Sequence, residues 1–177
     1  VALNSFFVRG VLEIQPAIIG QILGGDSQAL ATATAAAGIG ALLASIWIGL
    51  GKLPPDFIQR CLWPMLAVGI LGTACLKMTS MIIPMSLIFA LTGFTATFAG
   101  IGAQTLIQLK VDEDYRARVM TWWSSVSFGS LTIGGILIGF FGDFVPIEDA
   151  ILMMMVLGFL LALLILFKLP LVRWSDR

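Results

Sequence analysis

The stretch ILMMMVLGFLLALLILF, residues 151–167, contains no polar or charged side chain. An α-helix needs about 20 consecutive apolar residues, within a range of about 17 to 25, to cross the hydrocarbon core of a bilayer. The run is too long and too uniformly apolar for a membrane β-strand, and lipid requires that backbone groups be satisfied within a helix or a closed barrel. The stretch therefore predicts a transmembrane helix.

The rest of the chain repeats this pattern, with apolar runs separated by short connections that contain Gly, Pro and Asp. Hydrophobic residues make up 59% of the chain and charged residues 11%, whereas a soluble globular domain has about 25% charged residues. The sequence therefore predicts an all-α membrane protein with the lipid bilayer as its solvent. The six expected transmembrane helices, spans 1 to 6, cover residues 1–23, 28–51, 58–76, 80–109, 118–142 and 149–169.

Basic residues indicate how these spans are oriented. One side of the predicted bundle carries Lys52, Arg60, Lys110, Arg116, Arg118, Lys168, Arg173 and Arg177, and the other side carries Lys77. Because cytoplasmic loops hold the excess of Lys and Arg, we expect the first side and the C-terminus to be cytoplasmic. Asp143 and Asp149 flank a turn on the other side, where we expect both to contact only water.

Small and hydroxyl residues are concentrated in three spans. They occur in ATATAAAGIGALLAS (residues 31–45), TGFTATFAGIGAQTLIQ (residues 92–108) and SSVSFGSLTIGGILIG (residues 124–139). Small side chains allow helices to approach closely, and polar ones join helices or line a wet path. We therefore expect spans 1, 2, 4 and 5 to form an inner layer and spans 3 and 6 an outer one, with Gly134, Gly135 and Gly139 as packing glycines.

Two charged residues interrupt span 1. In RGVLEIQP, residues 9–16, Arg9 and Glu13 are one helical turn apart and share a helix face, and Pro16 follows as a residue that bends helices. At the bilayer centre each charge costs about 2.5 to 3.5 kcal/mol. One interpretation is that Glu13 takes up and releases a proton while Arg9 pairs with it in one conformation. The alternatives are a fixed structural ion pair, or an Arg9 side chain that reaches the cytoplasmic surface.

Two further groups of polar residues are candidates for function. Gln104 and Gln108 are one turn apart in span 4, where they either present amides to a substrate or form hydrogen bonds between helices. Asp112, Arg116 and Arg118 lie in the predicted cytoplasmic connection, where they either form a latch that pairs differently in two transport states or are a solvated loop.

The segment of residues 104–143 resembles the tenth-to-eleventh helix region of major facilitator superfamily transporters, in the branch of transmembrane secretion effectors related to the enterobactin exporter. Arg116, Arg118, Val119 and the glycines at 134, 135 and 139 match that branch, while Ala117 and Asp112 replace a usual glycine and a common proline. Residues 6–20 are similar to its seventh helix. Residues 52–60 barely resemble the superfamily's signature loop.

This resemblance implies the C-terminal six-helix half of a twelve-helix transporter, built as a 3+3 inverted repeat. It implies proton-coupled export of a small molecule, such as a siderophore, drug or metabolite, by alternating access across the bacterial inner membrane. The chain starts at Val1 inside an apolar run, so we expect it to be a piece of a longer protein whose N-terminal six-helix half is the main partner. A lone half is not expected to transport.

Two other classes of function fit less well. An intramembrane enzyme is disfavoured, because the chain has no histidine for a serine or cysteine dyad and no pair of aspartates within the spans. A non-transporting scaffold or assembly subunit would leave Arg9 and Glu13 with a role in packing alone. The formal net charge of zero disfavours nucleic acid as a partner, and no cofactor or metal site is expected.

Overall fold

The computed structural model describes residues 1–24, 27–51 and 53–168, and helices are the regular elements throughout these ranges. A π-helix, Asn4–Arg9, precedes the first α-helix, and a 3-10 helix, Cys75–Met78, continues the fourth. The α-helices are α1 (Gly10–Glu13), α2 (Gln15–Leu23), α3 (Ser27–Leu50), α4 (Pro55–Ala74), α5 (Ile82–Lys110), α6 (Glu113–Gly142) and α7 (Ile147–Lys168).

Five of these helices are long and apolar enough to cross a membrane, and there are six if the bent pair Asn4–Glu13 and Gln15–Leu23 forms one span. The all-α class is therefore confirmed, and the helices are compatible with an integral membrane protein. Lys52, Arg173 and Arg177, which contributed to the predicted orientation, lie outside the described residues, as does the last residue of the predicted sixth span.

The connection between spans 4 and 5 is shorter than the sequence analysis predicted. α6 begins at Glu113, so Arg116 and Arg118 lie in its first turns and not in a loop. Glu113 and Asp114 in the first turn interact favourably with the helix dipole, which explains why the acidic segment is helical. The predicted latch residues are therefore held on a helix end.

The tightest contact in the fold joins α3 and α5. A Cβ atom added to Gly40 would lie 2.8 Å from the carbonyl carbon of Ala90, and one added to Gly93 would lie 2.9 Å from that of Ala37. Both distances are below any that real Cβ atoms adopt, so the two backbones touch where each helix has glycine. This is the close approach that small residues permit between membrane helices.

Hydroxyl groups join α4 to α5. The Thr73 and Thr92 hydroxyl oxygens are 3.2 Å apart, and each also lies within hydrogen-bonding distance of a backbone carbonyl one turn earlier in its own helix, on Gly69 and Ile88. Because a hydroxyl has one proton, one of the two threonines donates to the other, and the second donates to its own carbonyl. Thr73 and Thr92 are fully buried. Their hydrogen bonds satisfy polar groups that would otherwise face an apolar core.

Burial shows that α5 lies at the centre of the chain. In the most apolar window of each helix, 44% of the residues of α5 are buried, compared with 17% for α3, 22% for α6 and 33% for α7. The expected inner helices α3 and α6 thus have more uncovered surface than α7, which was expected outside. The expected layering consequently depends on a further partner that covers α3 and α6, and it stays a prediction.

An ion pair between Lys77 and Asp149 joins the 3-10 helix after α4 to the first turn of α7. The side chains are 44% and 33% exposed. The expectation that Asp149 contacts only water is therefore wrong. The sequence does not indicate this ion pair, because the two residues are far apart along the chain and meet only when the ends of α4 and α7 pack together.

We expect the Lys77–Asp149 pair to contribute modestly to stability, because both side chains are partly solvated. Comparing Lys77→Gln, Asp149→Asn and the double variant in an unfolding titration should give a coupling free energy of about 0.5 to 1 kcal/mol, smaller at high salt. The swap Lys77→Asp with Asp149→Lys should recover most of the stability that either single swap loses. A coupling free energy of zero would show that the pair contributes nothing.

Candidate transport site at the break in the first span

The first span is broken at Ile14, where the two halves meet at an angle of 55°. Ile14 has φ −99° and ψ 14°, outside the α-helical region, and Pro16 lies in the first turn of α2. In a regular helix the Leu12 carbonyl would accept a hydrogen bond from the N–H group of residue 16. Pro16 has no N–H group, so this hydrogen bond cannot form. The expectation that Pro16 bends this span agrees with the geometry, although the break itself falls two residues earlier.

A buried amide holds the break against α3. The Gln15 Oε1 atom accepts a hydrogen bond of 3.2 Å from the Thr34 hydroxyl, and Gln15 is 6% exposed. The Nε2 atom of Gln15 is buried without a hydrogen-bond partner in the described part of the chain. The second half of span 1 is thus fixed to α3, while its first half packs on α5 and α6.

Arg9 and Glu13 lie on the uncovered side of span 1, but no ion pair joins them. The Arg9 Nη1 atom is 3.9 Å from the position that a Cβ on Gly100 of α5 would occupy, and the Glu13 Cβ is 3.5 Å from the equivalent position on Gly135 of α6. Arg9 is half-buried and Glu13 is exposed. We call these two residues the charged face; the Arg9 guanidinium lies beside α5, and the Cβ atom of Glu13 lies beside α6.

The depth of the charged face follows from its neighbours. Gly100 lies about 15 Å along α5 from Lys110, at a rise of about 1.5 Å per residue. Other charged side chains in the described ranges lie in connections or within the first or last two turns of their helices. In a bundle whose helices cross a membrane, Arg9 and Glu13 would therefore lie at the depth of the hydrocarbon core, where an exposed charge is costly.

Glycines bring span 1 against α6. A Cβ on Gly10 would be 3.1 Å from the backbone nitrogen of Gly135, and a Cβ on Gly134 would be 2.9 Å from the carbonyl carbon of Phe6. Gly139 has no atom within 4 Å of its Cβ position. The structure thus places Gly134 and Gly135 at a helix contact and leaves Gly139 outside it, while Gly10 was missed because it sits beside Arg9 rather than in a small-residue motif.

The remaining candidates are not assembled around the charged face. Gln104 is half-buried and Gln108 is exposed, and neither forms a hydrogen bond to another described residue. Both side chains remain available to a ligand or a partner helix. The described residues contain no group of three or more Cys, Asp or Glu side chains that could hold a metal ion.

The end of the bundle that carries Arg60, Lys110, Arg116 and Arg118 is called the basic end here. Arg116 lies 3.9 Å from Glu113, one turn away on α6, with 43% and 89% of their side chains exposed. Asp112 precedes α6 without capping it through its side chain, and neither Asp112 nor Arg118 has an ion-pair partner within the described ranges. The pairing that the structure shows is therefore a weak contact within one helix.

No protein-family model, curated protein or solved structure matches the chain. The features that bear on its function are accordingly the break in span 1, the charged face beside it and the uncovered surfaces of α3 and α6.

Proposed function

We propose that this chain is a six-helix half of a secondary transporter. The complete transporter exports a small molecule by alternating access, with Glu13 as the proton-coupling residue. In this proposal the chain lies in a bacterial inner membrane with the basic end in the cytoplasm. The observation that carries the proposal is the exposure of Glu13 beside a 55° break in a membrane-length helix.

The charged face is better explained by contact with a water-filled cavity than by contact with lipid. Each charge costs about 2.5 to 3.5 kcal/mol in the centre of a bilayer, and Arg9 and Glu13 do not reduce that cost by pairing with each other. The penalty is avoided if the exposed side chains contact water. Ionisable residues at membrane depth are in general features of substrate and proton pathways.

The broken helix supports the same conclusion. Transporter binding sites are typically formed by discontinuous membrane helices, whose free backbone groups line the site. Here Pro16 has no N–H group to donate to the Leu12 carbonyl, and Glu13 supplies a carboxylate next to the break. A proton or a cationic substrate group would bind to the Glu13 carboxylate.

The uncovered helices support a second six-helix unit as partner. α3 and α6 flank span 1, and few of their residues are buried by the rest of the chain. If a second unit faced them, it would enclose the charged face and turn an open surface into a central cavity. The N-terminal half of the same transporter is the partner that the proposal requires.

The basic end suggests how the cavity closes toward the cytoplasm. The Arg116–Glu113 contact is long and solvated, so either residue can exchange partners at small energetic cost. We propose that Arg116, Arg118 and Asp112 pair with the partner half when the cavity is closed at this end. In the open state they return to water.

A cysteine at position 13 tests whether the charged face contacts water. In full-length protein with Cys61 and Cys75 replaced by serine, we expect Glu13→Cys to react with a charged methanethiosulfonate at least about tenfold faster than Met153→Cys, because the reactive thiolate forms in water. Met153 is the control, because it is 62% exposed on α7 and lies about 10 Å from the start of that helix, at the end opposite the basic end.

The outcome decides between a cavity and a lipid-facing or packed surface. Equal, slow reaction at both positions would show that the charged face is not hydrated, and the transport proposal would lose its main support. Fast reaction at position 13 is expected to change when substrate shifts the protein between its two states.

A further inference from the structure

The charged face presents two opposite charges, and no described residue forms an ion pair with either of them. Arg9 and Glu13 are one helical turn apart on one face of span 1, which places their Cβ atoms about 5 to 6 Å from each other. Arg9 is half-buried and Glu13 is exposed. Within the described part of the chain, a guanidinium and a carboxylate thus lie side by side, each without a counter-ion.

Open space lies beside the Arg9 guanidinium. If a Cβ atom were added to Gly100 of α5, the Arg9 Nη1 atom would lie 3.9 Å from it, and no other described atom beyond the local backbone of α5 would lie within 4 Å. A large side chain at position 100 would fill this space, whereas glycine leaves it open. The guanidinium therefore has room for an oxyanion on the side that faces α5.

The Glu13 side of the charged face is open along α6. The Glu13 Cβ atom lies 3.5 Å from the Cβ position of Gly135, whereas no atom of the described residues lies within 4 Å of the Cβ position of Gly139. Gly139 follows Gly135 by one turn on the same face of α6. Space for a ligand therefore continues from Glu13 along this helix.

Two opposite charges on one face favour a ligand that carries both signs. A ligand with a single charge would neutralise one of the two residues and leave the other uncompensated at membrane depth, where a charge is costly. A ligand with an anionic and a cationic group neutralises both residues at once.

We propose that the charged face binds a zwitterionic small molecule, whose carboxylate contacts the Arg9 guanidinium and whose ammonium group contacts the Glu13 carboxylate. Guanidinium and carboxylate groups form strong, often bidentate hydrogen bonds. An ammonium group and a proton cannot occupy the Glu13 carboxylate together, which is what exchange of substrate for protons requires. The inference rests on the proposed function, because it takes the charged face as the substrate site of the transporter.

Three probes with the same aromatic body separate the two charges. 2-Naphthylalanine is a zwitterion at neutral pH, 2-(2-naphthyl)ethylamine lacks its carboxylate, and 3-(2-naphthyl)propanoate lacks its ammonium group. We would measure their binding to full-length protein in phosphatidylcholine nanodiscs by equilibrium dialysis, with empty discs as the reference. We expect the zwitterion to bind at least about tenfold more tightly than either singly charged probe, the effect of one hydrogen-bonded contact between charged groups.

Two variants assign each charge of the ligand to one residue. Arg9→Gln should remove most of the advantage of the zwitterion over the amine and keep its advantage over the acid, and Glu13→Gln should do the reverse. Arg60→Gln is the control, because Arg60 is also an arginine without an ion-pair partner among the described residues, but it lies in the second turn of α4 at the basic end. It should keep both advantages.

The comparison of the three probes on the native protein needs no variant to fold. If none of the probes shows saturable binding, or if the zwitterion binds no more tightly than the singly charged probes, the inference is wrong. An equal loss of both advantages in Arg9→Gln and in Glu13→Gln would likewise overturn it, since the two residues would then not bind different groups of the ligand.

The proposed transport function fails in a different way. If the crossed pattern of the two variants appears but no protons move when substrate is transported, the zwitterion site stands and the proton-coupling role of Glu13 is wrong. If protons move through Glu13 but the crossed pattern is absent, the zwitterion site alone is wrong.

Discussion

Gly40→Ala is expected to destabilise the protein by about 2 to 3 kcal/mol, the upper part of the range for overpacking a tight contact. The added methyl group would meet the backbone of Ala90 and Phe94 on α5, at 2.8 Å and 3.0 Å. Backbone atoms cannot rotate away as a side chain can, so α3 and α5 must separate. That separation would loosen the tightest helix contact in the fold.

Gly38→Ala is the matched control on the same helix. Its Cβ position has no atom within 4 Å, so the substitution adds no clash and removes a residue with poor helix propensity. We expect an unchanged or slightly higher stability, by up to about 1 kcal/mol. Unfolding titrations in a mixed detergent–SDS series would measure both variants. Equal effects of the two substitutions would contradict the packing described for α3 and α5.

The apolar runs allowed the helices to be predicted well, because each run is long and is bounded by Gly, Pro or charged residues. The start of α6 was predicted five residues late, at residue 118 rather than Glu113. The acidic residues of that segment were assigned to a cytoplasmic loop, either as part of a latch or as solvated residues. In the structure Glu113 and Asp114 lie in the first turn of α6, where acidic side chains interact favourably with the helix dipole. Hydropathy alone does not reveal this interaction.

Which small residues pack could not be predicted from the sequence. Gly134 and Gly139 both belong to a glycine-rich motif, yet only Gly134 touches span 1. A contact depends on the rotation and register of two helices, and these are set by many weak packing contacts. The same reason explains why the Lys77–Asp149 pair was missed. It also explains why the sequence could not decide whether Arg9 and Glu13, one turn apart, form an ion pair, which this structure does not contain.

Of the candidate site, the bend near Pro16 followed from the sequence, whereas the roles of Arg9 and Glu13 stay predictions. RGVLEIQP drew attention to span 1 because charges at membrane depth are expensive, and the structure places the break in that stretch. Gln15 was missed. A single amide in an apolar run gives no pattern, and its importance appears only when its buried neighbours leave one of its atoms without a partner.

Loss of the Glu13 carboxylate is expected to have the largest functional effect. In the proposed mechanism Glu13 carries the proton, so Glu13→Gln should reduce proton-driven transport at least about tenfold, because an amide does not titrate where ionisable residues relay protons. Exchange of substrate between equal concentrations should persist, because it needs the cavity and not the proton. Glu148→Gln is the matched control, since Glu148 lies in the first turn of α7 near the membrane surface.

The most direct measurement is proton movement in proteoliposomes that contain the full-length protein and a trapped pH indicator, with a transported compound found by screening lipophilic cations and siderophores. We expect a substrate gradient to drive protons in the opposite direction with the native protein and with Glu148→Gln. We expect Glu13→Gln to exchange substrate without moving protons. If Glu13→Gln moves protons and accumulates substrate as the native protein does, Glu13 is not the coupling residue and the account is wrong.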